Sequence, residues 1–170
     1  MTELNEMEEK LRSSFPKIWT RRTHLPQNEK TNFDFWGVEA PKGWYDLLYH
    51  LSTMIQWRLD QNPKLAKQFR IRQVKEKFGS LCFYYTCDDP YIDGLVQMAE
   101  RLSGFICVKC GEKARIRMND RYYVTLCDQH QQEWEAANGR TASIPPKPKR
   151  KTRQKKNQED LPEDQSQEKA

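Results

Sequence analysis

The most regular apolar pattern of the chain lies in residues 44–61. Apolar side chains recur there at the spacing of one helix face: Trp44, Leu47, Leu48, Leu51, Met54 and Ile55. Asn62-Pro63 ends the pattern, because proline cannot continue a helix from its interior. The stretch therefore predicts a long helix with one buried face.

A second helical pattern follows Asp89-Pro90, which pairs a capping side chain with proline at the first helical position. Its apolar stripe consists of Ile92, Leu95, Val96, Ala99 and Leu102. Gly104 ends it, as glycine commonly does after the last turn of a helix. A third, shorter helix is predicted over residues 2–15, where Leu4, Met7 and Leu11 share one stripe.

Two runs rich in β-branched and aromatic residues, 69–78 and 81–86, flank Gly79-Ser80. Such runs, split by a two-residue turn, predict a β-hairpin. Apolar and basic positions alternate along them, which predicts one packed face and one face in solvent.

Residues 16–42 have no regular period. Prolines, glycines and asparagines interrupt them, and four aromatic residues are interspersed: Trp19, Phe33, Phe35 and Trp36. The segment is predicted to be a long surface connection pinned by its aromatic side chains.

Composition changes this picture at the C-terminus. The 170 residues have a mean hydropathy of −1.00 and no apolar run near the length that a bilayer span needs. Nine basic and five acidic residues lie in 140–170, so this stretch carries +4 of the net charge of +5. It has no helix or strand pattern, and a disordered tail, basic first and then acidic, is predicted over 139–170.

The strongest chemical signal is a pair of Cys/His motifs. Cys107-Val-Lys-Cys110 and Cys127-Asp-Gln-His130 each hold two residues between the donors, and sixteen residues separate the two pairs. Three soft sulfurs and one imidazole at this spacing suit a single tetrahedral Zn²⁺. Because four protein ligands leave no position for water, the predicted ion is structural rather than catalytic.

The residues around these motifs support a zinc finger. Gly111 allows the backbone to turn under a metal, and two strand-like runs within 114–126 flank Asn119-Asp120 as a hairpin would. A short helix is predicted from Asp128 to Ala137. A knuckle, a hairpin and a ligand-bearing helix in this order are typical of a treble-clef finger.

No catalytic arrangement is readable. The sequence contains no Gly-rich phosphate loop, nucleophile elbow or Ser/His/Asp set. Nucleases built on treble-clef fingers need a catalytic histidine on the finger hairpin, and residues 114–126 hold none. We therefore predict a non-enzymatic protein, and do not expect the nuclease alternative.

Basic and aromatic residues favour nucleic acid as the partner. On the finger hairpin these are Arg115, Arg117, Arg121, Tyr122 and Tyr123, and in the tail Lys149, Arg150 and Lys151. Arginine can contact phosphates and tyrosine can stack on bases, while a basic run binds polyanions in a salt-dependent way. The alternative for the hairpin is an ordinary solvated sheet face.

Five stretches carry a resemblance to known proteins: Gly43-Trp44-Tyr45-Asp46-Leu47-Leu48, residues 73–79, Ala99-Glu100 with Ser103, Cys107 to Gly111, and residues 125–128 with His130. On these residues, roughly 40–135, the chain resembles a group of small treble-clef zinc-finger proteins from phage and bacterial genomes, a group without an assigned function. The resemblance implies a finger fold and a bound zinc ion. It also implies, should the gene be viral, a protein that acts on a host factor.

A second functional hypothesis is therefore a protein-binding adaptor or inhibitor. Its contact surface would be the aromatic residues predicted to be exposed in the irregular segment: Trp19, Phe33, Phe35 and Trp36. The oligomeric state stays open.

Together the patterns predict an α+β protein with helices packed on a small antiparallel sheet, followed by the finger and the tail. The predicted domains are 1–106, 107–138 and 139–170. With five cysteines, no bilayer-spanning run and no readable signal peptide, we expect a cytoplasmic protein, in the host cytoplasm if viral, with no membrane partner.

Overall fold

A computed structural model describes residues 3–140, with side chains from Glu6 onward. In this range the helices are α1 (Glu3–Ser14), α2 (Pro16–Trp19), α3 (Asn32–Trp36), α4 (Tyr45–Gln61), α5 (Pro63–Gln68), α6 (Pro90–Ser103) and α7 (Asp128–Asn138). The strands are β1 (Val38–Glu39), β2 (Arg70–Lys77), β3 (Ser80–Thr86), β4 (Arg115–Asn119) and β5 (Tyr122–Leu126). This mixture of helices and small sheets confirms the α+β class.

The three long predicted helices are present within one or two residues of their predicted bounds. In α6 the Asp89 carboxylate accepts a hydrogen bond from the backbone N–H of Ile92 at 3.1 Å, as a capping residue does. Arg58 of α4 pairs with the same carboxylate at 2.8 Å. The end of α4 therefore meets the start of α6, and the two helices run side by side in opposite directions.

The predicted hairpin pairs β2 with β3, and β1 adds a parallel strand at the other edge of β2. Because Lys77 pairs with Ser80, the turn residues are Phe78 and Gly79, one position earlier than predicted. Their φ angles of +54° and +79° are the left-handed values that a two-residue type I′ hairpin turn requires. A separate two-stranded sheet pairs β4 with β5.

A β-bulge interrupts the ladder between β2 and β3. Ile71 pairs with Tyr85 and Gln73 pairs with Tyr84, so Arg72 is an extra residue in β2. For this reason Ile71 and Val74 are both buried although three positions separate them, and a strict period of two does not hold along the strand.

Segment 16–42 is pinned by Trp19 and Phe33, as predicted, but it is not irregular throughout, and the prediction that all four aromatic residues are exposed is wrong. It folds into α2, α3 and β1, and Trp19 and Phe33 are buried in the core. The Trp19 indole N–H donates to the Ser52 hydroxyl at 2.8 Å, and its ring meets that of Phe33 edge-on at 5.9 Å. A buried hydrogen-bond partner and two apolar helix faces draw these rings inward, so only Phe35 and Trp36 are left exposed.

Within residues 3–140 no helix is both long and apolar enough to span a membrane. The tail predicted over 139–170 lies outside the described residues, apart from Gly139 and Arg140.

Candidate metal centre

The first ligand pair lies on a tight backbone turn after α6. Cys107 donates its backbone N–H to the Glu112 carbonyl at 2.8 Å, and Gly111 donates back to the Cys107 carbonyl at 2.9 Å. Gly111 has φ +82°, a conformation that a residue with a Cβ atom rarely adopts. The glycine therefore lets the chain fold back and bring Cys107 and Cys110 to one side.

The second pair lies where β5 passes into α7. Cys127 is the residue immediately before the helix, and His130 stands in its first turn. A spacing of three positions at this start brings both side chains to one side of the helix.

The four predicted ligands form one cluster. Their donor atoms all lie within 4.8 Å of one another. Cys110 Sγ and Cys127 Sγ are 3.8 Å apart, and His130 Nδ1 lies 3.4 Å from Cys107 Sγ and 3.1 Å from Cys127 Sγ. A tetrahedron around zinc has edges of about 3.8 Å between sulfurs and about 3.6 Å between sulfur and nitrogen, given the usual bond lengths. The cluster could therefore hold a metal ion.

The surroundings of Cys107 favour its ionised form. Burial alone would raise the pKa of this thiol, but backbone N–H groups of Cys127, Cys110 and Lys109 point at the sulfur and lower the pKa to about 6. A thiolate is the form that binds metal. On the imidazole, Nδ1 faces the sulfurs, while Nε2 lies 3.8 Å from the Glu133 carboxylate, beyond hydrogen-bond distance.

Asp128, the residue after Cys127, binds two of the predicted nucleic-acid residues. Arg117 is buried, donates to the Leu126 carbonyl at 3.3 Å and forms an ion pair with the Asp128 carboxylate. Arg115 reaches the same carboxylate at 3.2 Å. The Arg117 and Arg115 guanidinium groups hold the pKa of Asp128 below its usual value. The two arginines thus support the backbone beside the metal cluster.

The remaining hairpin candidates face different directions. Arg121 and Tyr122 are exposed at the tip, where 78% of the Tyr122 surface is accessible. Tyr123 pairs with Met118 on the opposite side of the ladder from Arg117, and its ring packs edge-on against Phe78 at 6.1 Å. The predicted residues therefore do not share one surface.

The three basic tail candidates have no described position. Lys149, Arg150 and Lys151 lie outside residues 3–140.

Hydrogen bonds to backbone carbonyls connect the region of the cluster to the rest of the protein. Gly43 donates its N–H to the Val108 carbonyl at 3.0 Å, and a Cβ atom at this position would lie 2.0 Å from the Cys107 carbonyl oxygen. The Trp44 indole donates to the Ile106 carbonyl at 3.0 Å. From the other side, the Thr125 hydroxyl donates to the Gly79 carbonyl at 2.5 Å.

The sequence motifs identified the four residues that meet in the cluster, but not the residues around it. Asp128 and Glu133 carried a usable signal, because a carboxylate next to a ligand, or three positions after one on a helix, is well placed to support the site. Gly43 gave no such signal in the sequence, because more than sixty residues separate it from the turn at Cys107 that it contacts.

Comparison with known proteins adds no homologue to this geometry. No family model matches the chain, and neither a curated protein nor a solved structure matches it. The function has to be argued from the site itself.

Proposed function

We propose that Cys107, Cys110, Cys127 and His130 bind one Zn²⁺ as a closed structural site. The observation that carries the proposal is the meeting of their donor atoms within 4.8 Å of one another. Three thiolates and an imidazole are a donor set typical of structural zinc, and four protein donors complete its coordination. The turn at 107–111, the hairpin β4–β5 and helix α7 would then act together as a treble-clef finger.

Elemental analysis of the purified protein tests the metal. We expect one zinc per chain, and a Co²⁺-substituted sample with the visible absorption of a tetrahedral thiolate site. Cys110→Ser should abolish stoichiometric metal, whereas Cys82→Ser should keep it, because Cys82 lies outside the cluster. Metal-free protein, or equal metal content in both variants, would contradict the proposal.

For the whole protein we propose a non-enzymatic, cytoplasmic nucleic-acid-binding role, in the host cytoplasm if the gene is viral. Arg121 and Tyr122 support it, because they are exposed together at the tip of the finger hairpin. The basic run with Lys149, Arg150 and Lys151 would add salt-dependent affinity for phosphates. A reducing compartment keeps the clustered cysteines available for metal.

Binding of labelled oligonucleotides to the full chain tests this role. Arg121→Ala/Tyr122→Ala and Lys149→Gln/Arg150→Gln/Lys151→Gln should each weaken binding to a single strand, and the tail variant should lower the slope of log affinity against log salt by about 2, the value for three lost phosphate contacts. Lys64→Gln/Lys67→Gln, which changes two exposed lysines of α5, is the control. Absence of any binding would reject the role, and metal-dependent cleavage of the oligonucleotide would reject a non-enzymatic protein.

A second candidate function, protein binding, is favoured by a groove between α4 and α6. Its lining contains no acidic or basic side chain other than His50: Leu47, His50, Leu51, Met54, Leu95, Met98, Ala99 and Leu102. Met98 is 55% exposed, and on the same two helices the exposed rings of Trp57 and Tyr91 pack together with their centres 5.8 Å apart. A largely apolar groove between antiparallel helices fits an apolar helix stripe of a partner protein.

Co-purification from the native host, followed by cross-linking, tests this candidate. A partner cross-linked to α4 or α6 should be lost with Met98→Glu and retained with Gln97→Glu, because Gln97 is exposed but does not line the groove. A complex that tolerates Met98→Glu would contradict it.

A further inference from the structure

The bulge in β2 gives the sheet an unusual outer face. The extra residue Arg72 leaves both Arg72 and Gln73 on the side away from the buried Ile71 and Val74, with Lys75 two positions further on the same side. Bulges of this kind re-aim side chains and occur next to binding sites more often than elsewhere. Here the bulge adds a cation to the solvent face of the strand.

An exposed aromatic ring lies beside these cations. Tyr84 of β3 is the direct partner of Gln73 in the ladder and is 46% exposed. Lys75 holds its ammonium group 5.9 Å from the centre of the Tyr84 ring. The ring is therefore about half exposed to solvent and lies next to a positive charge, which a stacked base would share with it.

A groove of about 650 Å³ lies over this part of the sheet, whose side chains line it. Two parts of the chain line it. The segment that leads into α3 contributes Glu29, Lys30, Thr31 and Asn32, and strands β2 and β3 contribute Arg72, Gln73, Lys75, Tyr84 and Tyr85. Its volume lies within the range of pockets that hold small-molecule ligands, roughly 300–1,000 Å³. The groove is thus large enough to take a ligand and is open to solvent.

The charges in the groove are unbalanced. Lys30, Arg72 and Lys75 form no ion pair within residues 3–140, and Glu29 is the one acidic residue of the lining. The nearby carboxylate of Glu39 accepts a hydrogen bond from the Gln73 amide at 2.9 Å. Arg115 and Arg117 on the finger hairpin differ in this respect, because both are paired with Asp128. The unpaired cations of the groove are available to an anionic ligand.

We infer that this groove binds single-stranded nucleic acid, with a base stacked on Tyr84 and backbone phosphates contacted by Arg72, Lys75 and Lys30. An aromatic ring among cations on an open sheet face is the arrangement that single-strand binders use, since only an unpaired base offers its face to the ring. The inference rests on the proposed nucleic-acid function and assigns its main contact to β2–β3.

The test uses the full, zinc-loaded chain and a fluorescein-labelled twelve-residue oligothymidylate, with binding followed by anisotropy. Tyr84→Leu should weaken binding about tenfold, whereas Tyr84→Phe, which keeps the ring, should bind like the wild type. Arg72→Gln/Lys75→Gln should reduce the slope of log affinity against log salt by about 1.4, the value for two lost contacts to a single strand. Lys64→Gln/Lys67→Gln carries the same charge change and should show a smaller reduction.

Two further probes identify the source of the ligand. A duplex of the same length should bind more weakly than the single strand and should be insensitive to Tyr84→Leu, because its bases are already stacked. Free thymidine monophosphate should compete poorly with the oligonucleotide, since it offers one phosphate instead of several. Thermal melts confirm that each variant is folded, and the tail is present in every sample, so its contribution is common to all.

The outcomes separate this inference from the proposed function. If the oligonucleotide binds, but both groove variants match the lysine control while Arg121→Ala/Tyr122→Ala loses affinity, the groove is rejected and the finger hairpin stands. If no nucleic acid binds, both are rejected. Competition by the free nucleotide at the affinity of the strand would reject a strand as the ligand.

Discussion

Residues 3–104 and residues 105–140 are stabilised in different ways. Of the hydrophobic side chains that are buried in the described chain, 22 belong to the first region, and two, Cys107 and Leu126, belong to the second. The second region buries polar groups instead, among them Arg117, Thr125 and Gln131. It has a two-stranded sheet and one helix, which bury too little apolar surface to be stable alone.

The difference indicates that a bound metal would have to supply the stabilisation that apolar burial supplies elsewhere in the protein. The first region, which we call the body, is held together by apolar burial around α4, α6 and the three-stranded sheet. The second, which we call the ligand segment, contains the Cys/His cluster and contacts Gly43, Trp44 and Gly79 of the body. Binding energy of a structural metal is folding energy in such segments.

The largest expected effect follows from removing one ligand. Cys110→Ser, or a chelator, should unfold the ligand segment and leave the body folded, because structural zinc contributes on the order of 10 kcal/mol in small fingers. Hydrogen exchange should then accelerate over 105–138 and remain slow in α4. Cys82→Ser is the control. Slow exchange in a metal-free ligand segment would show that its packing suffices.

The next largest effect is expected from a substitution that creates a cavity in the body. Leu48 is fully buried, and Leu48→Ala should lower the free energy of unfolding by about 2–5 kcal/mol. Met54→Ala removes a partly exposed side chain of the same helix and should cost less. Chemical denaturation of the metal-bound protein measures both. Equal losses in the two variants would contradict a body that is stabilised by burial.

The junction between the two regions should be sensitive to a single methyl group. Gly43→Ala places a Cβ atom against the Cys107 carbonyl and should cost about 1–3 kcal/mol, with a matching loss of metal affinity. Gly94→Ala is its matched control, because no atom lies within 4 Å of a Cβ there and alanine favours the helix by about 1 kcal/mol. A stabilising Gly43→Ala would mean that the regions do not depend on this contact.

The smallest expected effect is a loss of the free energy of unfolding in acid, caused by a carboxylate of the body. Burial alone would raise the pKa of Asp34, but N–H groups of Thr31 and Arg22, the Thr31 hydroxyl and Arg70 lower it from 3.8 to about 2. A folded pKa below the unfolded one stabilises the protein above pH 3.8, here by about 2 kcal/mol, and this stability is lost as the pH falls toward 2.

Comparison with Asp34→Asn isolates that contribution. The stability difference between wild type and variant should shrink between pH 4 and pH 2, as measured by thermal melts. Acid also protonates the thiolates and releases metal, but this loss is common to both proteins. A difference that stays constant over this range would reject the role of the Asp34 carboxylate.

Local patterns in the sequence were sufficient to predict the helices and the four residues of the Cys/His cluster. The stripe of α4, the Asp89-Pro90 start of α6 and the two Cys/His pairs each depend on residues a few positions apart, where periodicity and spacing are informative. The four donors could be named because zinc coordination limits their types and spacing. The same holds for hairpin β2–β3, apart from a turn displaced by one residue.

Contacts between distant residues could not be predicted in this way. Strand β1 has two residues and exists because Val38 pairs with Val74. Trp19 is buried in the apolar core with its N–H satisfied by Ser52 of α4, and nothing in the neighbourhood of residue 19 indicates that partner. Arg117 resembles a surface cation in the sequence, and its burial depends on the Leu126 carbonyl and Asp128.

The close seating of Gly43 and Trp44 on the turn that carries Cys107 has a thermodynamic consequence. Linkage is reciprocal, so if metal strengthens this contact by some factor, the contact must raise the affinity for metal by the same factor. A substitution at Trp44, which contributes no donor atom, should therefore change how tightly the protein retains its ion during competition with other zinc-binding molecules. If the cluster binds a metal as proposed, its retention depends on both regions.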